Sequence, residues 1–375
     1  MHLYTRETLG AASLNLSHVR NLMAGAAAAA VFAFASPANA LVITPVYDST
    51  VTSSPYAQAI QSAFASVASQ FQYAFSNPVT LKIGVSFGYI ATNRPLPAGD
   101  IAASLEPIST YYSYSLVSGY LAAAAAANPT DTVLASAVRS LPTLNPTNSL
   151  NGYAIPYGEA QALHIFPAIM RLASGYVGFA SSVNWDFNPV DGITAGSYDF
   201  QGLVAHEISE VMGRITGLTS ATPGFATPFD AMRYTAPGVS SFSFNTPAYF
   251  STDGGVTNLG VFNSGGGGDR SDWAGQAGDV QNAYLNTGTL YTLSSADWNI
   301  LDALGWGTFR QPPTSYGEIG ANVDPNALAF GDAPSALSFG GGPSDVPEPA
   351  TWAMMLVGFG LAGGALRRRG SARAQ

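Results

Sequence analysis

From Leu203 to Met212 the chain reads Leu-Val-Ala-His-Glu-Ile-Ser-Glu-Val-Met, and no other stretch limits its folding options as severely. Three ionisable groups sit in an otherwise apolar run. On a helix His206 and Glu210 stand at i and i+4, so they project from one face about one turn apart. Glu207 lies about 100° round from His206. Leu203, Val204, Ala205, Ile208, Val211 and Met212 predict that this helix is buried. A buried charge needs a partner or a metal, so the fold has to carry one to this helix. The spacing suits a helix that holds a metal from one side, with His206 and Glu210 as ligands. Ser197 or Asp199 is positioned to cap a helix that begins near Phe200, runs through about Met212 and ends at Gly213.

Composition narrows the donor set. There is no cysteine and there are 4 histidines, so a metal has to be held by His, Asp, Glu, Tyr or backbone oxygen. With 14 Lys+Arg against 23 Asp+Glu, the formal net charge is −9. That balance argues against nucleic-acid binding, which needs basic surface, and suits cation binding. Asp269, Asp272 and Asp279 lie in or near a Gly-rich loop and offer oxygen ligands for calcium, though their spacing matches no EF-hand. A solvated loop is the plainer reading. His164 stands in the apolar run from Ala162 to Met170, as a core histidine would.

Periodicity supplies the frame. Tyr56, Ile60, Phe64, Val67, Phe71 and Phe75 recur at helical spacing over 54–76. Val79, Leu81, Ile83, Val85, Phe87 and Tyr89 alternate as a strand. Residues 98–140 read as helical, ending the Ala-rich run at Asn128-Pro129, and 145–152 as a turn-rich connection. Gly175–Phe187 reads as a strand, and the chain from 213 to about 292 as loops. Ser294 or Ser295 caps a last helix from Asp297 to Leu304. The order of elements predicts an α+β or α/β layer.

Both ends carry processing patterns. Residues 1–40 read as a secretory signal peptide: a basic lead, an apolar run from Met23 to Ala35, and the small-residue site Ser36-Pro37-Ala38-Asn39-Ala40. Residues 307–345, rich in Gly, Pro, Ala and Ser, read as a spacer. Pro347-Glu348-Pro349 then precedes an apolar run from Ala350 to Leu366 and the cluster Arg367-Arg368-Arg369, a pattern expected to form a transmembrane helix with a cytoplasmic basic end. Segment 346–370 resembles the PEP-CTERM sorting signal of exopolysaccharide-producing Gram-negative bacteria. That resemblance implies export across the inner membrane, an exosortase-type enzyme as partner, display at the cell surface or in the matrix, and exopolysaccharide as a further partner.

The stretch 202–213 resembles the active helix of zincin metalloproteases, the metzincins in particular. His206, Glu207 and Gly213 fall on that pattern, Glu210 replaces the second histidine, and Thr216 stands where the third ligand should be. Ala231-Met232-Arg233-Tyr234 resembles a Met-turn, and Leu293–Trp306 resembles the closing helix of matrixin- and serralysin-like domains. The resemblance implies an α+β zincin-like domain over 41–306 with a mixed sheet and an active-site helix, and a secreted or surface-anchored peptidase that uses divalent metal, zinc by preference. It makes Glu207 the general base and Met232 the floor of the site. The third ligand is left open among His164, a carboxylate, Tyr234 or none at all, with Asp230 favoured for its place just before the Met-turn-like segment. Two other expectations stand beside this one: an inactive zincin-like surface protein displayed through its tail, and a carbohydrate-binding matrix protein.

Overall fold

The computed structural model describes residues 41–91, 94–142, 152–165, 173–219, 225–266 and 268–307. The chain divides into a unit ending at Val323 and a second, Asp324–Gln375, which lies wholly outside the described residues. The signal peptide, the spacer beyond Gly307, and the sorting segment with Pro347, Glu348, Pro349 and its transmembrane helix also fall outside them. Among the described residues, no helix is long and apolar enough to cross a membrane.

The first unit is a mixed α/β fold. It opens with β1 (Val42–Tyr47), α1 (Ser49–Thr52), α2 (Ala57–Ala74), β2 (Thr80–Phe87), β3 (Ala102–Leu105) and β4 (Ile108–Tyr112). There follow α3 (Tyr114–Ala127), α4 (Thr132–Ser140), β5 (Tyr153–Pro156), α5 (Tyr157–Ala162) and β6 (Gly175–Phe179). After β7 (Trp185–Asp186) and β8 (Tyr198–Asp199) comes α6 (Phe200–Val211), the helix expected to carry the chemistry. The last part holds β9 (Arg233–Ala236), β10 (Val239–Ser240), β11 (Tyr249–Phe250), β12 (Gly260–Val261) and α7 (Ser295–Ala303).

The main sheet has the order β1-β2-β6-β3. β1 and β6 run parallel to β2, and β3 closes the edge antiparallel to β6, with Ser104 opposite Val177. The alternating residues Leu81, Ile83, Val85 and Phe87 of β2 are all buried, as a strand with neighbours on both sides requires. Helix α2 packs on α6 and β1. Its Phe71 and Phe75 meet Trp298 of α7 at ring-centroid distances of 5.2 and 6.0 Å. The Ser294 hydroxyl and Asp297 carboxylate form a capping box that starts α7.

Three expectations change. Residues 98–140 are not one helical region: β3 and β4 occupy 102–112, and helix begins only at Tyr114, where Ser113 accepts from Leu116 N. Pro107 and the β-formers Ile108, Tyr111 and Tyr112 favour extended chain, and β6 offers a ladder partner that no local pattern reveals. The strand expected over 175–187 breaks into β6 and β7. The loop-rich region past α6 contains a four-stranded sheet, β10-β9-β11-β12, built from strands of two to four residues, too short to show a period.

Beneath the C-terminal end of α6 lies Glu159 of α5, fully buried, with no hydrogen-bond partner on either carboxyl oxygen. It crowds Gly213, whose φ of 112° suits the end of a helix and whose missing Cβ would stand 2.8 Å from Glu159 Oε2. Burial pushes the Glu159 carboxyl well above its ordinary value. The folded chain therefore holds this proton where the unfolded chain releases it. Stability is full below the unfolded pKa and falls by ~1.4 kcal/mol per pH unit as pH rises toward the folded value. Glu159→Met is expected to raise the melting temperature at pH 7 and 8 and to leave it nearly unchanged at pH 4. Equal melting temperatures at pH 8 would show that the acid is not neutral in the core.

Candidate metal centre

Helix α6 starts where the Asp199 carboxylate accepts from Gly202 N at 2.9 Å, and all twelve of its residues are buried. His206, Glu207 and Glu210 are thus placed in the interior. The His206 Nδ1 lies 2.9 Å from the carbonyl oxygen of Val280. A carbonyl only accepts, so Nδ1 carries the hydrogen, and Nε2 is left to face the site. Metal-binding histidines are commonly held this way, by a backbone carbonyl on the other ring nitrogen.

Nε2 stands 3.6 Å from Glu210 Oε1 and 3.7 Å from Asp272 Oδ1. Both distances exceed a hydrogen bond. They are close to the separation of about 3.3–3.5 Å between ligand atoms on a tetrahedral zinc with bonds of about 2.0–2.2 Å. Among the described residues, His206, Glu210 and Asp272 form the one group whose donor atoms all lie within 4.8 Å of one another. The group offers one imidazole nitrogen and two carboxylate oxygens, a donor set able to hold a metal ion.

Each ligand is braced. Ser104 Oγ on the edge strand β3 donates to Glu210 Oε2 at 2.6 Å, which leaves Oε1 turned to the imidazole. The Arg214 guanidinium sits 3.5 Å from Asp272 Oδ1 and 3.5 Å from Asp297 Oδ1, stacked 4.7 Å from the Trp273 ring centroid. Gln281 Nε2 donates to Ser209 Oγ at 2.6 Å, and Ser209 Oγ donates to His206 O at 2.8 Å. The loop after β12 therefore supplies a ligand and also two clamps on α6, through Val280 and Gln281.

The buried ionisable groups of the cluster set one another's protonation. Burial alone would lower the His206 pKa, but Asp272, Glu210 and Glu207 overturn this and push it well above the ordinary histidine value. Burial would raise Glu210, yet the His206 imidazole, Ser104 and Arg214 hold it below its usual range. Asp272 rises to about 7, chiefly from burial and against the pull of His206. Glu207 is driven well above the carboxylate range by burial and by Glu210. Two further carboxyls crowd the same negative field: Glu106, raised to about 8 by burial and Glu210, and Asp269, raised to about 6 by Glu210 and burial. Glu207 is buried and its Oε2 has no hydrogen-bond partner. That orphaned buried oxygen lies in the field of His206, Glu210 and Asp272 and needs an explanation that the protein's own hydrogen bonds do not supply.

The structure does not bring Asp230 to this group. Its carboxylate accepts from Thr216 Oγ1 at 2.6 Å, Gly217 N at 2.9 Å and Thr227 N at 2.9 Å, so it ties two loops together. The carboxylate that stands beside His206 is that of Asp272, and Thr216 pairs with Asp230. Met232 is buried in the hydrophobic core at the end of the short 3₁₀ turn Phe229–Met232. Tyr234 is buried with its hydroxyl donating to Ser140 O at 3.1 Å, away from any metal role. His164 is exposed, with φ of 54°, instead of buried in the core. The three loop aspartates do not form one group: Asp269 adds to the field around Asp272, whereas Asp279 Oδ1 accepts from Gln281 N at 2.8 Å and Asp279 belongs with Asp297 at the start of α7.

Comparison with known proteins bears on the tail. Residues 345–369 match the PEP-CTERM protein-sorting motif. The motif marks the chain for export and for sorting by an exosortase-type enzyme, in keeping with a Gram-negative cell surface. No curated protein and no solved structure matches the chain.

Proposed function

We propose that the exported unit is a metal-dependent peptidase of zincin-like type, with the ion held by His206, Glu210 and Asp272 and with Glu207 as general base. The observation that carries this reading is the His206 ring: one nitrogen is anchored on Val280 O, and the other faces two carboxylate oxygens at 3.6 and 3.7 Å. The mixed sheet, its antiparallel edge strand β3 beside the centre and the closing helix α7 support the zincin-like comparison.

The residues divide the work. His206, Glu210 and Asp272 bind, and Ser104 and Arg214 set the orientation of the two carboxylates. A divalent ion in this set supplies Lewis acidity to a water and to a peptide carbonyl. Glu207 accepts the proton from the attacking water and passes it to the leaving amine. With two anionic ligands and one neutral one, zinc is held less selectively than by three imidazoles, and harder ions such as manganese compete. Calcium through the same oxygens is a weaker match, because an imidazole is a poor calcium ligand.

One feature favours a second reading. The ligand side chains are only 10 % exposed for His206 and 6 % for Glu210 and Asp272. A centre this enclosed suits an ion that staples a non-catalytic surface protein. The purified full-length chain, dialysed against metal-free buffer, separates the readings. The peptidase reading expects about one divalent ion per chain and hydrolysis of an unfolded protein substrate that a chelator stops. One ion, no hydrolysis and a chelator-induced drop in melting temperature would establish the staple. A metal-free chain that is equally stable would end both.

A further inference from the structure

The loop that delivers Asp272 also has an outer face. Two open clefts flank its ridge Ala274–Gln276. One, of about 320 Å³, is lined by residues that include Gln276, Asn282, Tyr284, Asn286 and Tyr291. The other, of about 330 Å³, continues on the far side of the ridge past Asn258 to Val261. No charged residue lines either cleft, although the chain carries 37 Asp, Glu, Lys and Arg residues (23 and 14).

The clefts have a fixed frame. Asn282 Oδ1 accepts from Gln276 N at 2.6 Å while its Nδ2 donates to Gln276 O at 2.6 Å. Tyr291 OH accepts from Asn286 N at 2.9 Å, and Tyr291 N donates to Asp199 Oδ2 at 3.1 Å. Asp199 also caps α6, so the cleft floor and the helix of the metal centre share one anchor. Above this frame the surface is open. A Cβ at Gly275 or Gly278 would meet nothing within 4 Å, and the Tyr284 ring is 60 % exposed.

This lining selects a chemistry. A phosphate or carboxylate ligand needs cationic partners, and a cation needs carboxylates; the clefts offer neither. An apolar ligand needs a wall of aliphatic side chains, and the only ones larger than alanine, Leu259 and Val261, line one cleft alone. Amides that both donate and accept, beside the one exposed aromatic side chain, Tyr284, suit a ligand with many hydroxyls and flat C–H faces. Two hollows joined over a low ridge suit a chain of such rings.

We propose that the double cleft over Ala274–Gln276 binds a neutral oligosaccharide, with Tyr284 as stacking platform and Asn258, Gln276 and Asn286 as hydroxyl partners. This site stands apart from the metal reading and does not need an ion. The test is calorimetric titration of the full-length chain with neutral hexasaccharides of glucose (β-1,4 and α-1,4 linked), mannose, xylose and galactose. Polygalacturonate serves as the charged control. At least one neutral hexasaccharide is expected to bind saturably. Tyr284→Ala and Asn286→Ala should each weaken it by about tenfold while the far-UV spectrum and the metal content stay as in the parent. The proposal fails if none of the five binds at about 10 mM, if only polygalacturonate binds, or if neutral-sugar binding survives Tyr284→Ala unchanged.

Discussion

Asp272→Ala is expected to empty the centre. Losing a carboxylate ligand from a three-residue set should weaken metal binding by more than the 10–100-fold typical of losing an outer partner, so about 100-fold or more. Arg214 would also lose one of its two carboxylates while remaining fully buried. Asp230→Ala is the counterpart. It leaves Gly217 N, Thr227 N and Thr216 Oγ1 without their acceptor, which costs about 3 kcal/mol or more of stability. The metal should stay. Elemental mass spectrometry and thermal melts on both variants decide the assignment: a metal-loaded Asp272→Ala chain would remove Asp272 from the set, and a folded but metal-free Asp230→Ala chain would return the third-ligand role to Asp230.

Glu207→Gln is expected to lower peptide hydrolysis by about 10²–10⁴-fold with metal content unchanged. The substitution keeps the shape of a buried side chain that has no hydrogen bond on Oε2, so the fold has little to lose. Glu207 lies well above the carboxylate range because of burial and the neighbouring Glu210. A positive charge next to it favours its ionised form, which is the form a base requires. Activity that survives the change removes Glu207 from the mechanism. Lost metal instead of lost turnover would make it a ligand.

The extent of α6, its Asp199 cap and its burial were legible in the sequence because all three depend on neighbours within a few positions. The same holds for α2, β2 and the capped start of α7. The region 98–112 was not, because Ala102–Leu105 becomes strand only by pairing with β6, some seventy residues on. Asp272 was visible only as one of three aspartates in a glycine-rich loop. It reaches His206 through the Phe262–Trp273 and Trp273–Asn282 bridges and the Arg214 stack, none of which follows a period. Asp230 drew attention through its place before Met232, but three nearby donors had already claimed its carboxylate. His164 misled for the opposite reason: its apolar neighbours predicted a core position, and the backbone turned it outward.

The centre draws on β3, α6 and the 272–281 loop, which come together only when chain segments more than a hundred residues apart have docked. Closing so wide a loop is slow compared with forming the helix itself. His206 therefore spends the early part of folding as an ordinary imidazole with no ion-binding geometry around it. Under the proposed metal reading, uptake would be a late event, with the ion drawn from whichever compartment the chain finishes folding in. For a chain marked for export, that reading would make the metal supply outside the cytoplasm the one that sets the identity of the ion.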